Sequence, residues 1–134
     1  MGAKEELQDF FDILDTEQVT VFAKRLSAND TGASGAHQSG PYIPREVAFD
    51  LCPTLNCDQV NPSASFETLV MSHDVTRVNR LVWYNNASRN ECRITRWANE
   101  NNRESVLQKE LTGALVVILF SLNNGGVRNS WTWL

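Results

Sequence analysis

Polar side chains suited to hydrogen bonding are concentrated in a glycine-rich segment from Lys24 to Pro44. We call this segment the first stretch. Side chains of these types donate hydrogen bonds to phosphates and to the edges of nucleic-acid bases. The donors are Lys24, Arg25, Asn29, His37, Gln38 and Tyr42. Glycines allow the backbone to approach another surface closely. The composition therefore predicts a long binding loop that lies outside the core, since it holds few apolar residues.

A second basic region lies between residues 74 and 103, where six arginines face three acidic residues. The net charge of the chain is −4, but the first 17 residues alone carry −5, which leaves +1 for the remainder. The acidity is therefore local. The arginine-rich region could serve as an electrostatic footprint for nucleic acid, although the same pattern without further motifs more often marks solvated strand faces.

Three motifs carry a resemblance to a known family. They are the first stretch, the sequence SRNECRITRW at Ser88 to Trp97 (the second stretch), and TGAL at Thr112 to Leu115. Together they resemble the N-terminal effector-binding domain of EcoRII-type restriction endonucleases, over roughly residues 18 to 122. The resemblance implies a DNA-binding pseudobarrel whose two arms, formed by the first and second stretches, grip the major groove. It also implies a C-C-(A or T)-G-G target on double-stranded DNA.

Residue by residue, the resemblance places contacts in both stretches. His37 and Tyr42 match contact positions of the first arm, and Lys24 matches a backbone contact. Arg89, Glu91 and Arg93 match contact positions of the second arm, and Asn90 and Arg96 of the same stretch are further candidate DNA contacts. Arginine can donate two hydrogen bonds to guanine and a carboxylate can accept one from cytosine, so these residue types suit G·C pairs. Ala87 and Cys92 depart from the pattern, because a close relative has lysines there.

Structural and functional alternatives remain open for the same residues. Glu91 and Arg93 could form a surface ion pair that contributes little, and Tyr42 could lie at the edge of the core. A barrel that binds other proteins would explain the fold but not the polar arms. A nuclease of the commonest metal-dependent type would need an acidic residue two positions before a lysine, and Lys4, Lys24 and Lys109 lack one. We therefore expect no catalytic residues and no cofactor.

Length and composition predict one domain that comprises residues 1–134, with 42% hydrophobic residues available for a core. The sequence contains no apolar run of the ~20 residues that a membrane helix needs, and its acidic start is not a signal sequence, so we expect a cytoplasmic protein without a membrane partner. Cys52, Cys57 and Cys92 lack metal-ligand spacing, and His37 and His73 add none. We predict no metal site.

Hydrophobic periodicity predicts the elements that must position the two stretches. Apolar residues at Leu7, Phe10, Phe11 and Leu14 predict an amphipathic helix that packs away from the DNA. A second short helix is predicted at Pro44 to Cys52. The predicted strands are Val19 to Leu26, Phe66 to Met71, Val78 to Tyr84, Cys92 to Trp97, Gly113 to Leu122 and Val127 to Leu134.

These elements predict a mainly β fold with short helices and a β-barrel-like body of six or seven strands, and the family resemblance implies that the barrel is open. The strand at Gly113 to Leu122 is apolar on both faces and should be the most buried, and Asn123 to Gly126 should form a hairpin turn. The chain stops inside its last strand pattern, so we expect a domain cut from a longer restriction enzyme. In such an enzyme it would bind DNA as a monomer beside a C-terminal nuclease domain.

Overall fold

A computed structural model describes residues 8, 12, 19–34, 40–99, 101, 104–123 and 126–134. In this part of the chain seven strands form one sheet that curls into a half-barrel, in the order β1-β6-β7-β3-β4-β5-β2. The strands are β1 (Val19–Arg25), β2 (Tyr42–Ile43), β3 (Ser63–Val70), β4 (Val75–Asn85), β5 (Asn90–Thr95), β6 (Leu115–Asn123) and β7 (Gly126–Trp133). The predicted mainly β open barrel is confirmed.

Neighbouring strands are antiparallel except β3 and β7, which run parallel. The predicted hairpin between β3 and β4 is confirmed, as is the one between β6 and β7, where Asn123 lies opposite Gly126. Because the first and last strands of the order are β1 and β2, the first stretch connects the two edges of the sheet. The position of these two edges relative to each other therefore depends on how that stretch is held.

Among the described residues from Val19 onward, two short α-helices flank the sheet, α1 (Ala28–Thr31) and α2 (Arg45–Leu51). The predicted second helix is thus confirmed as α2, with Pro44 as its N-cap rather than in its first turn. The predicted N-terminal helix lies outside the described residues, apart from Gln8 and Asp12, which are helical. In the described part of the chain no helix is long and apolar enough to cross a membrane.

The core lies on one face of the sheet and includes Phe66, Leu81, Ile94 and Phe120. Helix α2 adds Ala48 and Leu51 to it. Strand β6 is buried at every residue from Ile118 to Ser121, as its apolar faces predict, whereas Leu115 at its start is 51% exposed. The predicted burial of this strand is therefore found in the middle of β6, while its beginning is exposed.

Strand β5 begins and ends two residues earlier than predicted, at Asn90 and Thr95. Arg96 ends the strand because its φ of 66° lies in the left-handed region, which extended chains do not use. Trp97 then turns back, and its indole nitrogen donates to the Ile94 carbonyl at 2.8 Å. The buried Trp97 side chain is part of the core rather than of a strand.

The prediction that the first stretch is a loop outside the core is wrong in the described residues. A capping box at Ser27 and Asp30 starts α1, and Gly32 ends that helix with a φ of 81°. Asp30 and Ile43 are both completely buried. The sequence contains few apolar residues here, but hydrogen bonding makes burial of the polar ones possible. Residues 35–39, which include the predicted contacts His37 and Gln38, lie outside the described residues.

Gly40 fixes the end of the first stretch against β5. Its φ is +82°, and an added Cβ would lie 1.8 Å from the carbonyl oxygen of Ile94. The amide of Ile94 donates to the Pro41 carbonyl at 3.0 Å, which locks the two backbones together. Only glycine fits this position, because both the conformation and the space exclude a side chain.

We expect Gly40→Ala to lower the free energy of unfolding by about 3 kcal/mol or more, since strain and a backbone clash combine. The matched control is Gly113→Ala. Gly113 has a similar φ of +89° but no atom within 4 Å of an added Cβ, so that change should cost only about 1–2 kcal/mol. Chemical denaturation of both variants measures the difference. Equal losses would show that the contact between Gly40 and Ile94 does not matter.

Candidate nucleic-acid interface

Glu91 and Arg93, two of the functional residues predicted in the second stretch, lie on the face of the sheet opposite the core, the outer face. Arg93 pairs with Tyr42 on one side and with Val82 on the other, and Glu91 pairs with Tyr84. Directly opposite residues of paired strands share a face. Tyr42, Tyr84, Glu91 and Arg93 therefore lie together, opposite the face that buries Ile94 in the core, as the alternation of the sequence predicts.

Five charged side chains form a continuous chain of contacts here, which we call the ion network: Lys24, Asp30, Arg89, Glu91 and Arg93. Lys24 Nζ lies 2.7 Å from Asp30 Oδ2, and Arg93 Nη1 lies 2.9 Å from Asp30 Oδ1. Arg93 Nε and Arg89 Nη2 both approach Glu91 Oε1, at 3.1 and 2.6 Å. Because cations and carboxylates alternate, each carboxylate is shared by two cations.

Asp30 joins the two stretches and was not among the predicted site residues. Besides its two ion pairs, its carboxylate accepts the amides of Ser27 at 2.9 Å and Tyr42 at 3.0 Å. Each oxygen thus receives two of the four donors found in the described residues, which matches the acceptor capacity of a carboxylate. The Ser27-x-x-Asp30 spacing could have indicated a cap. No sequence signal links Asp30 to Arg93, which is 63 positions later.

Arg93 is the buried centre of the ion network, with a side chain only 8% exposed. Its Nη1 donates both to Asp30 and to the carbonyl of Gly40, each at 2.9 Å. Its Nε and Nη2 donate to the two oxygens of Glu91, at 3.1 and 3.4 Å. The alternative of a surface ion pair is therefore wrong, because the pair exists but Arg93 is buried.

Arg89 forms the outer end of the ion network. Its side chain is 37% exposed, and its guanidinium carbon lies 3.9 Å from the centre of the Tyr84 ring, a cation–π contact. The side chain of Asn86 accepts the amides of Ser88 and Arg89 at 3.0 Å each, which shapes the turn before β5. Arg89 is thus held in place by the turn, by Tyr84 and by Glu91, while one side stays open to a partner.

Tyr42 is also exposed, at 41%. The alternative that it lies at the edge of the core is therefore wrong. Lys24 lies over its ring, 5.6 Å from the centre. The structure therefore brings Lys24 and Tyr42 of the first stretch to Arg89, Glu91 and Arg93 of the second. Those five are the predicted site residues that form one cluster.

Other predicted residues lie apart from this cluster. Arg25 donates to the Gly113 carbonyl at 3.0 Å, and Asn29 is exposed on α1, where it accepts from Ser34. Asn90 accepts from the indole of Trp83, which packs against the core. Arg96 is exposed beyond the end of β5.

The departure at Cys92 does not remove a surface contact. Cys92 is completely buried, and burial raises the pKa of its thiol to about 11. Ala87 is exposed in the turn before Arg89. Within the described residues no group of three or more His, Cys, Asp or Glu side chains could hold a metal ion.

The two carboxylates of the ion network remain charged despite their burial. Burial by itself raises the pKa of Asp30, but hydrogen bonds from Lys24 and from the Ser27 and Tyr42 amides outweigh it and hold the pKa below its ordinary value. Burial likewise raises the pKa of Glu91, and hydrogen bonds from Arg93 and Arg89 lower it further than burial raises it. Both groups favour the folded state when ionised.

We expect the domain to lose stability on acidification because of these lowered pKa values. Their contribution is complete above the unfolded-state pKa values of about 4 and is lost as the pH falls through the lower folded-state values. Denaturation at a series of pH values from neutral to about 2 measures this slope. A free energy of unfolding that stays constant below about pH 4 would contradict the assignment.

Asp30→Asn should remove part of that slope and cost about 3–5 kcal/mol at neutral pH, since it leaves buried Arg93 with only one carboxylate partner. The control is Asp74→Asn. Asp74 is an exposed residue in the turn before β4, with a φ of 51° that asparagine also tolerates. This variant should keep both the stability and the acid slope.

Comparison with known proteins shows which family this chain belongs to. Residues 15–132 match the family described as "Restriction endonuclease EcoRII, N-terminal". The type II restriction enzyme EcoRII of Escherichia coli is 42% identical over 116 residues, which cover 82% of this chain and 28% of that enzyme. This chain therefore spans little more than a quarter of its relative. The family match covers most of the chain, and the protein belongs to the family of N-terminal effector domains of EcoRII-type restriction endonucleases.

Proposed function

We propose that this domain binds double-stranded DNA in a sequence-specific manner, as the targeting or effector module of a type II restriction endonuclease. The observation that carries the proposal is the ion network, which joins the first stretch to the second on one face of the sheet. The two stretches act as two arms in the major groove. Each arm contributes exposed donors, Tyr42 from the first and Arg89 from the second.

The charges of the ion network suit a DNA partner. Three cations, Lys24, Arg89 and Arg93, face two carboxylates, so the network carries one net positive charge. An acidic residue that only met phosphates would weaken binding. Glu91 instead lies between two arginines that both donate to its Oε1, where a cytosine amino group could replace them as donor.

Such an exchange would also free the donors of Arg89 to bind guanine. Arg89 Nη2 donates to Glu91 at 2.6 Å in the free domain, and it is the more exposed of the two arginines. When the N4 amino group of cytosine donates to Glu91 instead, the donors of the Arg89 guanidinium become free to bind O6 and N7 of a neighbouring guanine. Every charge keeps a partner throughout, which suits a target composed of adjacent G·C pairs. We propose C-C-(A or T)-G-G as that target.

The catalytic residues of the parent enzyme would lie in a separate domain of the same longer chain, since this chain corresponds to only 28% of its relative. In this arrangement the domain directs the nuclease to DNA or relieves its inhibition once DNA is bound. A single domain with two arms can embrace a nearly symmetric site as a monomer. Its place of action would be the bacterial cytoplasm.

We expect a duplex with the proposed target to be retarded by the 134-residue protein in a gel-shift assay, at concentrations where a scrambled duplex is not. With Mg²⁺ added, a plasmid that contains target sites should remain uncut. Equal retardation of both duplexes would contradict sequence-specific binding. Reproducible cutting by nuclease-free protein would mean that the chain is itself an enzyme.

Arg89→Ala should weaken binding to the target duplex by about 1–3 kcal/mol and binding to the scrambled duplex by much less, because its donors read bases. Arg128→Ala is the matched control, since Arg128 is an exposed arginine on β7. Fluorescence anisotropy titrations of both variants on both duplexes give the comparison. Equal losses on the two duplexes for Arg89→Ala would reassign this residue to phosphate contact.

The same titrations apply to Arg93→Ala. We expect a comparable loss on the target duplex with a smaller loss on random DNA. Because Arg93 is buried, the folded fraction of this variant must be measured by chemical denaturation beside the wild type. Losses that are equal on both duplexes in folded protein would leave Arg93 without a role in base reading.

A further inference from the structure

Asp30 sits between two cations that the proposed function assigns to DNA. Its carboxylate is completely buried and contacts Lys24 at 2.7 Å and Arg93 at 2.9 Å. The side chains of these two cations are only 22% and 8% exposed. In the free domain both positive charges are therefore neutralised from inside the protein.

Burial makes this neutralisation stronger than a surface ion pair. Charges that are shielded from water attract each other more strongly, and salt screens them less. A phosphate at the surface would have to take Lys24 or Arg93 away from a carboxylate and leave Asp30 buried with one partner fewer. That exchange is unfavourable, because an uncompensated buried charge is costly.

A cognate base pair offers a different exchange. Glu91 is the other carboxylate partner of Arg93, and its side chain is 26% exposed, so a base in the groove can reach it. When a cytosine amino group binds Glu91 in place of Arg89 and Arg93, the Nε and Nη2 donors of Arg93 lose that partner, while Nη1 stays on Asp30 and Gly40. The guanidinium of Arg93 is then held through Nη1, while its Nε and Nη2 donors are free.

We infer that Asp30 is a specificity-determining positioning residue, whose buried carboxylate withholds Lys24 and Arg93 from the phosphates of non-cognate DNA and fixes them for the cognate sequence. The inference rests on the proposed function. It assigns Asp30 an effect opposite to that of a general binding residue, because its negative charge lowers the affinity for DNA that lacks the target.

The test is a titration of target and scrambled duplexes with wild type and Asp30→Asn over a range of salt concentrations. Asparagine keeps the shape but removes the charge. We expect severalfold tighter binding of the scrambled duplex, with a log–log salt slope steeper by about 1, as one added phosphate contact gives. The ratio of target to scrambled affinity should fall on the order of tenfold. Damage to the fold alone would weaken both complexes and would not steepen the slope.

Two further variants separate charge from position. Asp74→Asn makes the same change in net charge in the turn before β4, and it should change the scrambled affinity much less than Asp30→Asn does. Asp30→Glu restores the charge and should return the scrambled affinity to near the wild-type value. If Asp74→Asn acts as strongly as Asp30→Asn, or if the glutamate fails to restore the affinity in folded protein, the inference is overturned.

A measurement on the wild type does not depend on how any variant folds. The side-chain Nε–H signal of Arg93 can be followed by nuclear magnetic resonance as each duplex is added. We expect it to move with the target duplex and to stay in place with the scrambled one. Equal shifts with both duplexes would overturn the inference. Failure of the wild type to discriminate between the duplexes would instead overturn the proposed function itself, whereas discrimination that survives in Asp30→Asn overturns only the role of Asp30.

Discussion

The arrangement of this domain depends on one buried carboxylate. Asp30 lies on α1, between the two edge strands of the sheet, and accepts hydrogen bonds from β1 and β2 as well as from β5. A buried carboxylate without these donors would be strongly unfavourable, so the chain must bring all of them together or leave Asp30 in water. The short helix α1, the end of β1 and the outer face of β5 therefore have fixed positions relative to one another.

A second constraint acts through the backbone. Gly40 lies so close to Ile94 that a side chain has no room, and its own carbonyl accepts a hydrogen bond from Arg93. The same glycine therefore supports the fold and holds the central arginine of the ion network. Stability and the proposed recognition share these contacts, because the atoms that connect the sheet edges also orient the polar side chains.

Burial of Arg93 restricts which partners this arginine can bind. A guanidinium free in solvent could bind any phosphate, whereas one held by Asp30 and Glu91 keeps its direction and its donors assigned. Arg89 is the more accessible of the two arginines and rests on Tyr84. In the proposed recognition, the exposed and the buried arginine both release Glu91 to a base, which is a basis for distinguishing one DNA sequence from another.

The sequence by itself determined the mainly β fold class, most of the strands, α2 and the two predicted hairpins, because these follow from local periodicity and turn residues. It also indicated that the residues of the second stretch share a face, since alternation along a strand is local. Only the tertiary structure decided which residues meet across the sheet. The contact between Asp30 and Arg93 joins positions that are 63 residues apart, and the burial of both depends on partners that no local pattern encodes. For the same reason composition predicted a loop outside the core where the described residues of the first stretch form a short helix with a buried, hydrogen-bonded Asp30.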